Sequence, residues 1–147
     1  MEEEKEVKPK GSSRNKTAGS VYEREKAKEQ RGIGYTDIRT SRECSRKRDA
    51  QKVDLCNADE DAFGRHPYNI QCKCYSTKLA YPKILAELGH HNGTRQVNVI
   101  YHKLTEKSAS GRFMPKGEYA ILNFSDFLRM QELLKQNDLD KQLIQPK

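Results

Sequence analysis

A chain of 147 residues, 34% hydrophobic and 33% charged, has room for one domain around a small core. Its formal net charge of +7 at pH 7 and pI near 9.2 point to a polyanionic partner, nucleic acid before others. No apolar run reaches the ~20 residues of a membrane span, and Met1-Glu2-Glu3-Glu4-Lys5 lacks the apolar core of a secretion signal. A cytosolic protein is therefore expected, with Cys44, Cys56, Cys72 and Cys74 as reduced thiols and not a disulfide framework.

Residues 1–18 are charged and small and read as a flexible tail. Gly19-Ser20 opens a predicted helix to about Gln30, with Ser20 as N-cap and Gly32 and Gly34 as stop signals. Residues 35–40 alternate as a strand. Residues 41–52 read as a basic loop, in which Arg42, Arg46, Lys47, Arg48 and Lys52 outnumber Glu43 and Asp49. Residues 53–56 form a short strand, 57–67 an acidic turn region with Asp59, Glu60 and Asp61, and 68–75 the next strand. Pro82 suits the first turn of a helix. There Tyr81, Ile84, Leu85 and Leu88 recur at i, i+3, i+4 and i+7 as one apolar face, and Gly89 ends it. Residues 96–102 alternate as a strand, 105–117 form a polar loop, and 117–123 a further strand. Ser125 caps a last helix on which Phe127, Met130 and Leu134 share a face, and the residues after Asn137 form a polar tail. This order predicts one α/β (α+β) domain over residues 19–136, a central mixed β-sheet flanked by helices.

The segment that carries chemistry is Asn69-Ile70-Gln71-Cys72-Lys73-Cys74. Side chains alternate along a strand, so Gln71 and Lys73 share one face, roughly 7 Å apart, while Ile70, Cys72 and Cys74 share the other. That second face is small and apolar, which suits free cysteine. Asp54 ends the preceding short strand, where its carboxylate would lie at the sheet edge. Mg²⁺ keeps several waters and needs only two or three protein oxygens. A lysine nearby orients water or meets developing negative charge. Asp54, Gln71 and Lys73 thus supply most of a metal-dependent phosphodiester-cutting site. A strand-end acid paired with a nearby lysine is the plainer reading of Asp54. Glu23 offers a further oxygen, but Ser20-x-x-Glu23 is also a capping box that would fold Glu23 back onto Ser20.

Six basic residues fall within positions 39–52. Arg39, Arg42, Arg46, Lys47 and Arg48, with the hydroxyls of Ser41 and Ser45, form a candidate phosphate-contacting set. The cysteines, spaced Cys44-x₁₁-Cys56-x₁₅-Cys72-x-Cys74, do not follow the C-x₂-C pattern of zinc sites. With His90-His91 they leave a structural zinc as a rival reading.

Taken in order, these segments resemble the PD-(D/E)XK nuclease superfamily, and within it the Holliday-junction-resolvase-like proteins of phages and bacteria. Lys16-Thr17-Ala18-Gly19-Ser20-Val21-Tyr22-Glu23-Arg24-Glu25 is similar to the opening helix with its metal-binding Glu. Thr40-Ser41-Arg42-Glu43-Cys44-Ser45-Arg46-Lys47-Arg48-Asp49 is similar to the Ser/Arg loop, Lys52-Val53-Asp54-Leu55 to the metal-binding Asp, and Ile70-Gln71-Cys72-Lys73 to the (D/E)-x-K strand. Glu118-Tyr119-Ala120-Ile121-Leu122-Asn123 and the helix after it fit the C-terminal unit, so the likeness spans roughly residues 14–135. It implies a mixed sheet between helices, Mg²⁺ or Mn²⁺, and a homodimer that cuts two strands of branched DNA. Carried over, Glu23, Asp54 and Gln71 would hold the metal with help from the Cys72 carbonyl. Lys73 would orient the water, and Ser41, Arg42 and Ser45 would meet the scissile phosphate. The departure is Gln71, an uncharged amide where the family usually has an acid, although some members carry Gln there. A non-catalytic nucleic-acid-binding protein on the same fold is the alternative.

Overall fold

The computed structural model describes residues 13–59, 66–76, 79–89 and 96–144, with side chains from residue 17 onward. Helix α1 (Ser13–Ile33) is longer than the sequence pattern suggests, so residues 13–18 are helical and not part of a tail. Its inner face carries Tyr22, Glu23, Lys26, Ala27 and Gln30, all buried. That face recurs with helical spacing but is mostly polar, which hides it from a hydrophobic pattern. Gly32 lies inside the helix, and Gly34, at φ 127°, is the stop. There the N–H groups of Gly34 and Tyr35 close on the carbonyls of Arg31 and Gln30, both at 3.1 Å.

Strand β1 (Ile38–Thr40) is followed by two short helices, α2 (Ser41–Cys44) and α3 (Arg46–Ala50), where a loop was expected. Ser45 is the reason for the second: its Oγ accepts the Arg48 N–H at 3.2 Å and caps α3. Strand β2 (Leu55–Asn57) starts one residue after Asp54, which sits in a bend instead of a strand. Strand β3 (Tyr68–Tyr75) has the expected bounds. Helix α4 (Tyr81–Glu87) has Pro82 in its first turn. It ends against Gly89, which lies so close to Gln51 that a Cβ there would come within 2.7 Å of that side chain.

Strands β4 (Val97–Lys107) and β5 (Phe113–Leu122) are longer than expected. The presumed loop 105–117 is a hairpin with a tight turn, in which Ser108 N–H donates to the Arg112 carbonyl at 2.7 Å and Gly111 takes φ 83°. Helix α5 (Phe124–Gln136) begins after Asn123, so Ser125 is inside it and caps nothing. A 3₁₀ turn (Asp140–Leu143) follows where a polar tail was expected.

The five strands lie in the order β1-β2-β3-β4-β5, antiparallel except for β3 and β4, which run parallel and are joined through α4. The fold is therefore α+β with a mixed sheet flanked by helices, as expected. α1 covers one face: Ala27 packs on Ile38, Leu55 and Ile70, with Tyr35, Tyr68, Cys72 and Tyr101 around them. α4 covers the other face. Its Leu85 carbonyl accepts from Asn98, and its Tyr81 hydroxyl meets His102 Nδ1 at 2.8 Å. His102 Nε2 lies 3.2 Å from the Tyr75 carbonyl, which fits a ring that donates from Nε2 and accepts at Nδ1. Among the described residues no helix is long and apolar enough to cross a membrane.

Candidate active site

Asp54 is stitched into three elements at once. Its N–H donates to the Ile70 carbonyl at 2.8 Å, its carbonyl accepts the Ser41 N–H at 2.8 Å, and its Oδ2 accepts the Cys72 N–H at 2.7 Å. The last β2–β3 pair is Leu55 with Ile70. Asp54 lies one residue outside that ladder, and its bonds to Ile70 and Cys72 bracket Gln71 along β3.

Gln71 and Lys73 lie on the α4 face of β3, beside Ile100 and His102 of β4. Both are half-buried. Among the described residues the Gln71 amide has no hydrogen-bond partner, and Lys73 makes no direct ion pair; its Nζ lies 5.7 Å from the Tyr75 ring centre. Lys73 is close enough to Asp54 to pull its pKa down.

Glu23 approaches Asp54 from α1 and is only 5% exposed. The capping-box reading fails because Ser20 lies inside α1, seven residues past its start at Ser13. Ser20 Oγ instead accepts from Arg42 Nη1 at 3.1 Å, and Arg42 Nη2 lies 3.5 Å from Glu23 Oε1. Arg42 thus bridges the helix α1 positions to the turn that follows β1.

The electrostatics agree with this placement. Burial, and after it the charge of Asp54, push the Glu23 carboxyl up to about 7, while Arg42 pulls it back. Burial pushes Asp54 up to about 6 against the opposing pull of the Cys72 N–H, Lys73 and Arg42. Burial is the first cause of both shifts, and such raised carboxyls beside cations occur at ion-binding sites and in structural ion-pair networks alike. The donors are hard oxygens, which suits Mg²⁺ or Mn²⁺. Two of them carry charge and Gln71 carries none; among the described residues no group of three or more His, Cys, Asp or Glu is disposed to hold a metal.

The remaining sequence candidates divide. Ser41 is a correction: it is fully buried, so it does not face a phosphate, and its hydroxyl has no hydrogen-bond partner among the described residues. Arg46 and Lys47 are exposed on α3, and Ser45 spends its hydroxyl on the cap. Arg39 turns its guanidinium to the carbonyls of Thr36 and Ile38, at 3.1 and 2.8 Å. Arg48 is a correction: it is 1% exposed, so it does not face a phosphate. Its guanidinium donates to Gln51 at 2.6 Å, Gln96 at 3.0 Å, the Gly89 carbonyl at 3.3 Å, and Asn69. Those partners lie up to 48 residues away, and nothing in the local basic run signals them. Ser20 is a site residue that sequence reasoning assigned to a cap.

The zinc reading finds little in the geometry. Cys44 and Cys56 come together, but Cys72 and Cys74 sit apart on β3, and His90-His91 lie outside the described residues. Comparison with protein-family models, curated proteins and solved structures finds no match to this chain.

Proposed function

We propose that the chain is a Mg²⁺- or Mn²⁺-dependent endodeoxyribonuclease that cuts branched DNA of the Holliday-junction type, acting as a homodimer in the cytosol. The observation that carries this reading is a pair of carboxyls, Glu23 buried and set 3.5 Å from Arg42, and Asp54 fixed by the Cys72 N–H at 2.7 Å, both raised chiefly by burial, with Arg42 and Lys73 as the opposing cations. Glu23 and Asp54 would hold the cation, with the Gln71 amide reaching Asp54 from the α4 face of β3. A divalent ion bound there supplies positive charge for the phosphoryl oxygens and an acidified water.

The chain's own groups do the rest. Lys73, with no direct ion pair, orients the water and meets charge as it develops. Asp54 is held by three backbone bonds, so its free oxygen points the same way in every copy. Arg42, whose side chain is 57% exposed, offers a guanidinium fork to phosphate. Arg46 and Lys47 extend the basic surface for the duplex arms. The exposed apolar side chains of α5 are the surface through which two copies meet.

The test is cleavage of end-labelled four-way junctions in Mg²⁺, in Mn²⁺ and in EDTA. Paired, metal-dependent cuts are expected. Protein that binds the junction but gives no product in Mg²⁺ or in Mn²⁺ overturns the enzymatic reading. Gln71 favours a second reading, a nucleic-acid-binding protein on the same fold: an amide in place of an acid leaves the cation with one negative charge fewer. That reading predicts salt-sensitive binding without product.

A further inference from the structure

Two cysteines outside the carboxylate cluster meet in space. Cys44 closes α2 and Cys56 is the middle residue of β2, and their sulfurs lie 3.0 Å apart. Cys56 is buried at 3% exposure, while Cys44 is open to solvent. The approach is held by backbone and is not left to a mobile loop. Arg39 pairs with Cys56 and Thr40 with Leu55 across β1 and β2, so the residue before α2 is already in the ladder. Ser41 then donates to the Asp54 carbonyl, Ser45 N–H closes α2 on the Ser41 carbonyl at 2.8 Å, and Cys44 Sγ lies 3.4 Å from the Thr40 carbonyl. Cys72 and Cys74 have no second sulfur within reach among the described residues.

We propose that Cys44 and Cys56 are a dithiol that hydrogen peroxide closes into a disulfide. Cys44, the exposed sulfur, attacks one peroxide oxygen; the O–O bond breaks, water leaves, and Cys44 becomes a sulfenic acid. Cys56 then attacks the Cys44 sulfur and the S–O bond breaks. The oxygen departs as a second water, taking the Cys56 proton. Two thiols have lost two electrons and peroxide has gained them. The new bond fastens α2, which carries Ser41 and Arg42, to the strand that follows Asp54. The bond itself does not depend on the nuclease reading, because its formation is read without DNA.

The test treats the native full-length protein with peroxide, unfolds it, alkylates the remaining thiols, and maps the peptides by mass. A species two hydrogens lighter that takes up two fewer alkyl groups is expected, with Cys44 linked to Cys56. Cys44→Ser and Cys56→Ser should each remove that link, and the oxidised wild type should melt several degrees higher than the reduced protein. Cys44 oxidised alone, with Cys56 still open to alkylation, overturns the proposal. So does a link that runs through Cys72 or Cys74.

Discussion

The sheet's inner strands and the C-terminal unit are built on opposite economies. Around β1 to β4, Ile38, Ile70, Ile100, Arg48, His66, Asn69 and His102 are all buried, polar and apolar alike, and Arg48, His66, Asn69 and His102 each have hydrogen-bond partners. α5 buries no residue at all: Phe124 is 76% exposed and Leu133 49%. β5 is exposed on both faces for most of its length. The first region is complete in one copy and holds the candidate chemistry. The second carries apolar surface that one copy does not cover, the usual mark of a surface that meets another protein. A single mutation should therefore show its effect on different observables in the two regions.

The largest contrast is in rate. Asp54→Ala and Lys73→Ala are each expected to lower junction cleavage on the order of 10³-fold, with binding nearly unchanged. Charge substitution on α5 should leave the chemistry per assembled dimer intact. Initial rates and gel-shift titrations on the same preparations separate the two.

Next comes stability. Arg48→Ala removes the guanidinium donor from the buried Asn69 and Gln96 side-chain oxygens and should cost about 3 kcal/mol or more in urea unfolding. Leu133→Ala on α5 should cost well under about 1 kcal/mol in the monomer. Equal losses at the two sites would break the comparison.

Cation binding gives a smaller, pH-dependent effect. Folding raises the carboxyls of Asp54 to about 6 and Glu23 to about 7. The stability these two contribute is therefore complete below their unfolded values of ~4 and is lost as pH rises through 6 and 7. Mg²⁺ must displace those protons, so the increment it adds to Tm should grow from pH 5.5 to pH 8. The corresponding stabilisation should reach about 2.7 kcal/mol at a hundredfold excess over Kd and should vanish in Asp54→Asn. An increment that does not change with pH would separate the cation from these carboxyls. The smallest change in stability, and the clearest in mass, is expected for Leu128→Glu on α5: a shift from dimer to monomer in sedimentation, with thermal unfolding of each copy almost unmoved.

How much of this was legible in the sequence follows from what each segment buries. Strand β3 and helix α4 were readable because Pro67 and Pro82 punctuate them and their apolar spacing is clean. α1 was under-read because Glu23, Lys26 and Gln30 occupy its buried stripe. The β4–β5 hairpin was taken for a loop because a strand exposed on both faces has no alternation to show. The spacing of Asp54, Gln71 and Lys73 pointed to neighbouring strands, and the chain does bring Asp54 alongside β3. Arg48 could not be separated from Arg46 and Lys47, since what distinguishes it is a set of amides brought in from β3, α4 and the start of β4. The fate of Glu23 turned on where α1 begins, which the polar residues before Gly19 concealed.

His66 lies on the far side of this proton ledger. It is buried beside Gln30 at 2.7 Å, and its burial lowers its pKa to about 4. When the chain folds near pH 5.5, His66 therefore sheds a proton while Glu23 and Asp54 each tend to gain one. Protons are reactants and products of folding here, and the two gains outweigh the one loss. Refolding in weak buffer with an indicator dye should show a net uptake of roughly 0.7 proton for the natural chain. With His66→Gln the same experiment should show uptake of roughly one to two protons. One neutral histidine in the interior thus supplies roughly half of the protons that the two reluctant acids take up on folding.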